Sequence, residues 1–233
     1  LSATTWNNSG AMTIGSQNLN LQGGSTLNNL SAGTVNISGN ASFTGGAGGT
    51  NVVNNEGTLT KLAGGGNTNI NNGSLSAFNN SGRVNVAADL LNINTGGADS
   101  GRYDVASGAT VNFNASRTFD SGTSFTNTGT VNFGGGTQTF SAAQTFAAAG
   151  PTINLTGSTL TGADALNIGS TFNFVEGTIS GASALTTTGA TAIGGGNASL
   201  SGKTWNNSGT VTITGQPLTL RAGAIFTNLA AGT

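Results

Sequence analysis

The feature that most limits what this chain can fold into is a short segment that recurs along its length. It runs from an aromatic or aliphatic residue through two or three small polar residues to glycine. A small residue follows, then apolar–polar–apolar. Clear copies are Trp6-Asn-Asn-Ser-Gly10-Ala-Met12-Thr-Ile14 and Phe78-Asn-Asn-Ser-Gly82-Arg-Val84-Asn-Val86. Two more are Phe125-Thr-Asn-Thr-Gly129-Thr-Val131-Asn-Phe133 and Trp205-Asn-Asn-Ser-Gly209-Thr-Val211-Thr-Ile213. Weaker copies carry Gly33, Gly57, Gly108, Gly150, Gly177 and Gly189. As far as Gly150 these anchor glycines lie 21 to 26 residues apart; beyond it the register blurs. A second apolar pair often follows nine and eleven residues after the anchor, as Leu19/Leu21, Leu91/Ile93 and Leu218/Leu220.

Strict alternation such as Val-Thr-Ile-Thr reads as strand with one face buried. Each strand is expected to run four to six residues. The Gly, Asn and Ser residues that bound it accept positive φ and tight turns. Two-residue Asn-Gly or Asp-Gly hairpin loops are nearly absent, so the strands have to pair otherwise. Stacking each segment on the previous one satisfies the pattern, with backbone groups bonded to the coils above and below at about 4.8 Å. Apolar residues then form inward columns, and Asn, Thr and Ser form outward or corner ladders. The expected fold is all-β: a single-stranded parallel β-helix, or β-solenoid, with about 20–26 residues per coil and two or three strands in each. Roughly ten coils would make a rod on the order of 50 Å long.

A second, longer repeat lies over the first. Residues 1–34 return as residues 200–233 at an offset of 199, without a gap and with 19 identities in 34 pairs. Trp6/Trp205, Gly10/Gly209, Ile14/Ile213 and Leu21/Leu220 are among them. Residues 1–199 therefore read as one long unit and 200–233 as the start of the next, continuous with the same solenoid. The start at Leu1, with no initiator Met or signal peptide, fits a piece of a longer array.

Composition excludes most other readings. Gly (40), Thr (37) and Asn (31) make up nearly half the chain, and only 6% of residues are charged. With no Cys and no His, thiolate clusters, disulfide scaffolds and imidazole-based triads are out. Net charge −1 gives no footprint for nucleic acid, and no run of eighteen apolar residues is present to insert in a membrane. In a stack, a charge on every coil would put like charges in a column, which is destabilising. The scarcity of charge is thus an expected consequence of the architecture.

The Asn-x-Gly coils and long Gly/Asn/Thr/Ser repeats resemble haemagglutinin-type exoproteins of Gram-negative bacteria. These include filamentous haemagglutinin-like passengers and autotransporter-associated repeats. The resemblance implies a right-handed β-helix that is secreted and displayed at the bacterial cell surface. It also implies a role as an adhesin shaft or matrix component, including in biofilm. It carries no functional residue over, because the shared motif is structural.

Candidate sites are few. The acids are Glu56, Asp89, Asp99, Asp104, Asp120, Asp164 and Glu176. Asp99 and Asp120 lie 21 residues apart, about one coil, and could stack near the roughly 5 Å separation of a retaining glycosidase. Arg102, Tyr103 and Arg117 share that stretch. The plainer reading makes these solvated turn residues, with Arg–Asp pairs offsetting charge between neighbouring coils. Gly196–Thr204 imitates a Walker A run, but Asn197 stands where its first Gly belongs and a strand motif follows Lys203. Gly45–Asn51 has the glycines of a calcium nonapeptide without its Asp. The Asn-x-Ser/Thr triplets beginning at Asn7, Asn29, Asn36, Asn40, Asn79, Asn154 and Asn206 arise from composition. Trp6 and Trp205 occupy a place held elsewhere by Phe78, Phe125 and Phe146, which points to core or coil-end roles. No catalytic, cofactor-binding or metal-binding residue is assigned.

Three functions compete on this reading. The first is a structural repeat of a secreted bacterial adhesin or extracellular filament, not an enzyme, whose partner is another copy of itself in tandem or head to tail. The second is a polysaccharide-binding or -cleaving protein using Asp99, Asp104 and Asp120. The third is a flat Thr/Asn surface for ice or for host or matrix glycans. That surface needs Thr-x-Thr columns, and Thr212/Thr214 do not recur.

Overall fold

The structure, a computed structural model, describes residues 1–71 and 73–233. Among these there are short strands, turns and bends and no helix, and every strand pairing is parallel. The strands stack in about eleven turns of a β-solenoid. Most strands are three or four residues long, shorter than the alternation suggests; two, Thr152–Thr161 and Phe172–Ser180, run ten and nine.

Each turn has three sides. The first side begins with Thr5–Asn8, Thr26–Asn29, Val52–Asn55 and Ala77–Asn80 and continues through Gly97–Asp99 and Arg117–Phe119 to Leu218–Arg221. The second side holds Ala11–Ile14, Thr34–Ile37, Thr58–Lys61, Arg83–Val86, Arg102–Val105 and Ser124–Thr126. Its ladder breaks there and resumes with Gln144–Phe146, Leu166–Ile168, Leu185–Thr187, Thr204–Asn207 and Ile225–Asn228. The third side runs from Leu19–Leu21 through Leu90–Ile93, Thr110–Phe113 and Thr130–Phe133 to Val211–Ile213. The two long strands bend through the corner between third and first sides, with a bulge after Leu155. Register partners lie 19 residues apart (Asn80 and Asp99) to 27 (Phe43 and Ile70), slightly wider than the spacing read from the glycines.

Alternation places the core as expected. Val111, Val131 and Ile153 stack in one inward column, and Phe113, Phe133 and Leu155 in the next; all are fully buried. Around turns five to seven Tyr103, Phe113, Phe119, Phe125, Phe133, Phe140 and Phe146 fill the interior. Stacked pairs such as Phe113/Phe133, 5.6 Å between centroids, alternate with edge-to-face pairs such as Phe113/Phe119 at 5.2 Å. Each such pair adds about 0.5–1.5 kcal/mol beyond its buried area.

The anchor glycines do not form one column. Gly57, Gly82 and Gly101 stack at the corner between first and second sides, and a Cβ on Gly82 would sit 2.2 Å from Gly57 O. Gly129, Gly189 and Gly209 instead turn the corner between second and third sides, while Gly177 lies within the bent strand Phe172–Ser180. The step from Gly82 to Gly108 crosses from one corner to the other within the even spacing; the register blurs after Gly150 because Gly177 lies in the bent strand between third and first sides before Gly189 returns to the corner of Gly150.

Candidate functional site

Asparagine, expected outward or at corners, also forms a ladder inside the stack. Asn8, Asn29, Asn55 and Asn80 are buried at the end of four successive first-side strands. Nδ2 of Asn8, Asn29 and Asn55 each donates to the Oδ1 of the next at 2.8 Å, with its second hydrogen on Thr34 O, Thr58 O or Arg83 O, whereas Asn80 Nδ2, at the end of the ladder, is buried without a hydrogen-bond partner. An asparagine carries both donors and acceptors, so identical rungs satisfy one another without charge. Two outward ladders follow the same chemistry. One joins Asn7, Asn28, Asn54 and Asn79 on the first side. The other joins Asn69, Asn92, Asn112, Asn132, Asn154 and Asn173 on the third.

The interior ladder ends on a charge. Asp99 takes the rung after Asn80 and is wholly buried. Arg117, one turn on, donates from Nε to Asp99 Oδ2 at 2.7 Å and from Nη2 to Oδ1 at 2.8 Å. Its remaining reach goes to Thr95 O through Nη1 at 2.9 Å and to Phe78 O through Nη2 at 2.8 Å. Tyr103 Oη donates to Asp99 Oδ1 at 2.6 Å. Gly97 opens the slot for the guanidinium: it pairs in register with Arg117, and a Cβ there would lie 1.9 Å from Phe78 O. The Arg117 guanidinium carbon also lies 5.6 Å from the Phe78 ring centre and 5.9 Å from that of Phe113. Burial pushes the Asp99 carboxyl above its ordinary range, against the pull of the Arg117 charge and of hydrogen bonds from Arg117 and Tyr103. Burial, then the neighbouring Asp99 charge, raises the Tyr103 hydroxyl well above its ordinary value.

This arrangement corrects the carboxylate reading on two counts. Asp99 and Asp104 are not solvated turn residues, and Asp99 and Asp120 are not a facing pair. Asp99 pairs in register with Phe119, so Asp120 falls one residue on, with the opposite side-chain direction. Asp120 accepts from Ser141 Oγ at 2.6 Å near the surface. A retaining glycosidase pair must flank one bond, and this geometry gives none between these two residues.

Asp104 points outward from the second side yet is covered. Arg83 and Arg102, stacked in register, both bridge to it, Arg102 through Nη2 to Oδ2 at 2.7 Å, and Thr126 donates from the next turn. Burial works upward on this carboxyl, but hydrogen bonds from Arg102, Thr126 and Arg83 hold it below its ordinary range. The like-charged arginine column is tolerated because one carboxylate sits between its members. Arg–Asp pairing between coils was legible in the sequence; the burial was not.

Two lysines lie inside as well. Lys61 replaces an aliphatic residue between Ile37 and Val86, and its Nζ reaches Leu62 O at 2.7 Å and Asp89 Oδ2 at 3.5 Å. Lys203, the lysine of the Walker-like run, opens onto a strand and is buried; desolvation lowers its pKa. Asn51 of the glycine-rich stretch is buried too, donating to Gly46 O and accepting from Ser25 N, so it holds a corner rather than facing a cation. Glu56, Asp89, Asp164 and Glu176 are exposed and scattered. No three acidic side chains gather to hold a metal ion among the described residues, and no helix there is long and apolar enough to cross a membrane.

Trp205 is fully buried, its Nε1 donating to Thr187 Oγ1 at 2.8 Å and its ring edge-to-face with Phe226 at 5.1 Å. Trp6, on the first turn, stays 40% exposed. Compared with known protein-family models, with curated proteins and with solved structures, the chain matches none.

Proposed function

We propose that the chain is a structural repeat of a secreted bacterial adhesin or extracellular filament, working by coil-on-coil stacking. One observation carries this reading. The second copy of the long repeat, from Leu200 on, sits on the first through an ordinary turn junction. Ser199 and Leu200 pair with Thr178 and Ile179, Trp205 with Leu185, and Ile213 with Ile193. The inward apolar residues of the last turns are correspondingly uncovered: Ile213, over buried Ile193, is 54% exposed and Leu220, over buried Leu200, 47%. Another turn laid on them would bury that surface and the open strand edge together. The partner is a further unit of the same kind, and the bacterial cell surface is the setting in which such rods serve as shafts.

The test is a tandem chain, residues 1–199 followed by 1–233, imaged by electron microscopy and measured by small-angle scattering. The expected particle has an unchanged cross-section and is longer by about 45 Å, from about 4.8 Å per turn. Two separate beads, or an unchanged length, would overturn the reading.

A glycan-binding reading has one observation in its favour. The six-rung asparagine ladder on the third side is flanked by Thr110, Thr130 and Thr152 in register. The middle rungs Asn92, Asn112, Asn132 and Asn154 each leave one amide hydrogen and one lone pair free for hydroxyl groups of an extended polysaccharide. Loss of binding on a glycan array in Asn112→Ala would support it; binding to no glycan would remove it.

A further inference from the structure

The long repeat and the three-sided turn do not keep step. Thr5–Asn8 lies on the first side of turn one, whereas its counterpart Thr204–Asn207 lies on the second side of turn ten. The other three strands of the repeated segment agree. Ala11–Ile14 on the second side corresponds to Val211–Ile213 on the third. Leu19–Leu21 on the third corresponds to Leu218–Arg221 on the first side of the next turn. Thr26–Asn29 on the first corresponds to Ile225–Asn228 on the second. One unit therefore advances nine turns and one side.

The physical basis is that the corner is portable. Gly10 N approaches Asn8 Oδ1 at 3.4 Å at the corner between first and second sides. Gly209 N bonds Asn207 Oδ1 at 3.1 Å at the corner between second and third. The same Asn-x-Gly device turns the chain at either vertex. Within the unit it holds the first vertex through Asn80-Ser-Gly82, and Asp99-Ser-Gly101 takes that place one turn later. The Asn–Asn ladder stops at Asp99, and the second-side ladder breaks after Thr126. The buried Asp99–Arg117–Tyr103 cluster and the aromatic core thus occupy the stretch where the pattern moves from one vertex to the next.

We propose that successive 199-residue units of an array are set one side apart, so that the rod presents the same surface in turn on all three of its sides. This rests on the stacking reading above. Counted in sides, a motif regains its orientation every third unit, after 28 turns or about 130 Å at ~4.8 Å per turn. The third-side asparagine ladder of one unit becomes a first-side ladder in the next and a second-side ladder in the one after. Such a rod contacts neighbouring rods or a polymer matrix from every direction instead of along one stripe.

The chain has no cysteine, so engineered disulfides report the register directly. Thr186 and Asn206 are outward partners in the structure; a repeat in step with the turns would instead return Asn206 to the first-side column of its counterpart Asn7, over Ser180. In the chain as it stands, Thr186→Cys/Asn206→Cys should close a disulfide at least about tenfold faster than Ser180→Cys/Asn206→Cys, since Cα atoms beyond about 7 Å cannot be bridged. Ala192→Cys/Thr212→Cys, partners on the next side, should also close and keeps the test open if the first pair perturbs folding. In the tandem chain, cysteines at position 186 of the first unit and position 7 of the second should close in the same way. A tandem chain that lengthens while closing the position-180 pair, or neither pair, overturns the one-side offset and leaves stacking intact. A tandem chain that does not lengthen overturns the stacking reading itself.

Discussion

At the scale of single residues, the charges of this molecule divide by whether their partners are complete. Arg117 and Asp99 lie in full burial with hydrogen bonds at both ends. Removing one partner leaves the other charge stranded, which typically costs about 3–5 kcal/mol, whereas replacing both often costs little. Arg117→Met is therefore expected to lower stability by that amount. Asp99→Asn/Arg117→Met, which extends the asparagine ladder by a rung, should recover much of it; urea midpoints of the single and double variants give the comparison. Asp104 offers a pH test. Its folded pKa is depressed below the ordinary 3.8, so its stabilisation is present above that value and is lost as pH falls through the folded pKa. The melting-temperature gap between the native chain and Asp104→Asn should hold from pH 7 to about 5 and close toward pH 2. Lys203 has the opposite sign. Its lowered pKa means the folded state resists its charge, a penalty present at neutral pH and relieved as pH rises toward the ordinary 10.5. Lys203→Thr, the residue type found at Thr4 in the other copy, should raise the melting temperature at pH 7 by roughly 2–4 °C. That gain should shrink at high pH.

At the scale of strands and ladders, the parallel stack was legible because alternation and repetition are properties of the chain. Val111–Val131 and Phe113–Phe133 stand in register as the apolar–polar–apolar pattern requires. What the sequence left hidden are features that depend on which residues come to lie above one another. Asn7 and Asn8 are adjacent and identical, yet the strand turns one outward and the other into the core, and only the corner position distinguishes them. Asp99 and Asp120 are a turn apart in number but one residue out of register, so spacing alone suggested a pair that alternation forbids. Gly108 was read as equivalent to Gly82 because the two corners use the same residues. The interior ladder makes a testable claim about its members. Asn55→Ala removes bonds to Asn29, Asn80 and Arg83 O and leaves the Asn80 carbonyl oxygen buried without its donor. A loss of about 2–4 kcal/mol is expected from one unsatisfied buried group plus the bonds removed. Asn112→Ala, on the outward ladder, loses comparable bonds where water can replace them and should cost under about 1 kcal/mol. Equal losses at the two positions would mean that burial does not distinguish the ladders.

At the scale of the whole molecule, a stack in which each turn touches only its neighbours has no single core, and stability is distributed along the axis. The aromatic side chains of turns five to seven interlock across all three sides, with Tyr103, Phe125 and Phe146 following one another on the second side where its backbone ladder is interrupted. Side-chain packing bridges the place where strand pairing does not. The terminal turns lack that support and lack a neighbour on one face, so they should open at low free-energy cost while the centre stays closed. Amide exchange is expected to reflect this order. Protection should be greatest in Thr110–Phe113 and Thr130–Phe133, lower in Val211–Ile213, and lowest in Leu218–Arg221 and Ile225–Asn228. In a two-unit chain the residues corresponding to that last group lie mid-rod and should rise to the protection of the centre, while a new fraying end appears one unit further on. Uniform protection from end to end in the single chain would instead mark the rod as one cooperative block, and the nearest-neighbour account of its stability would fail.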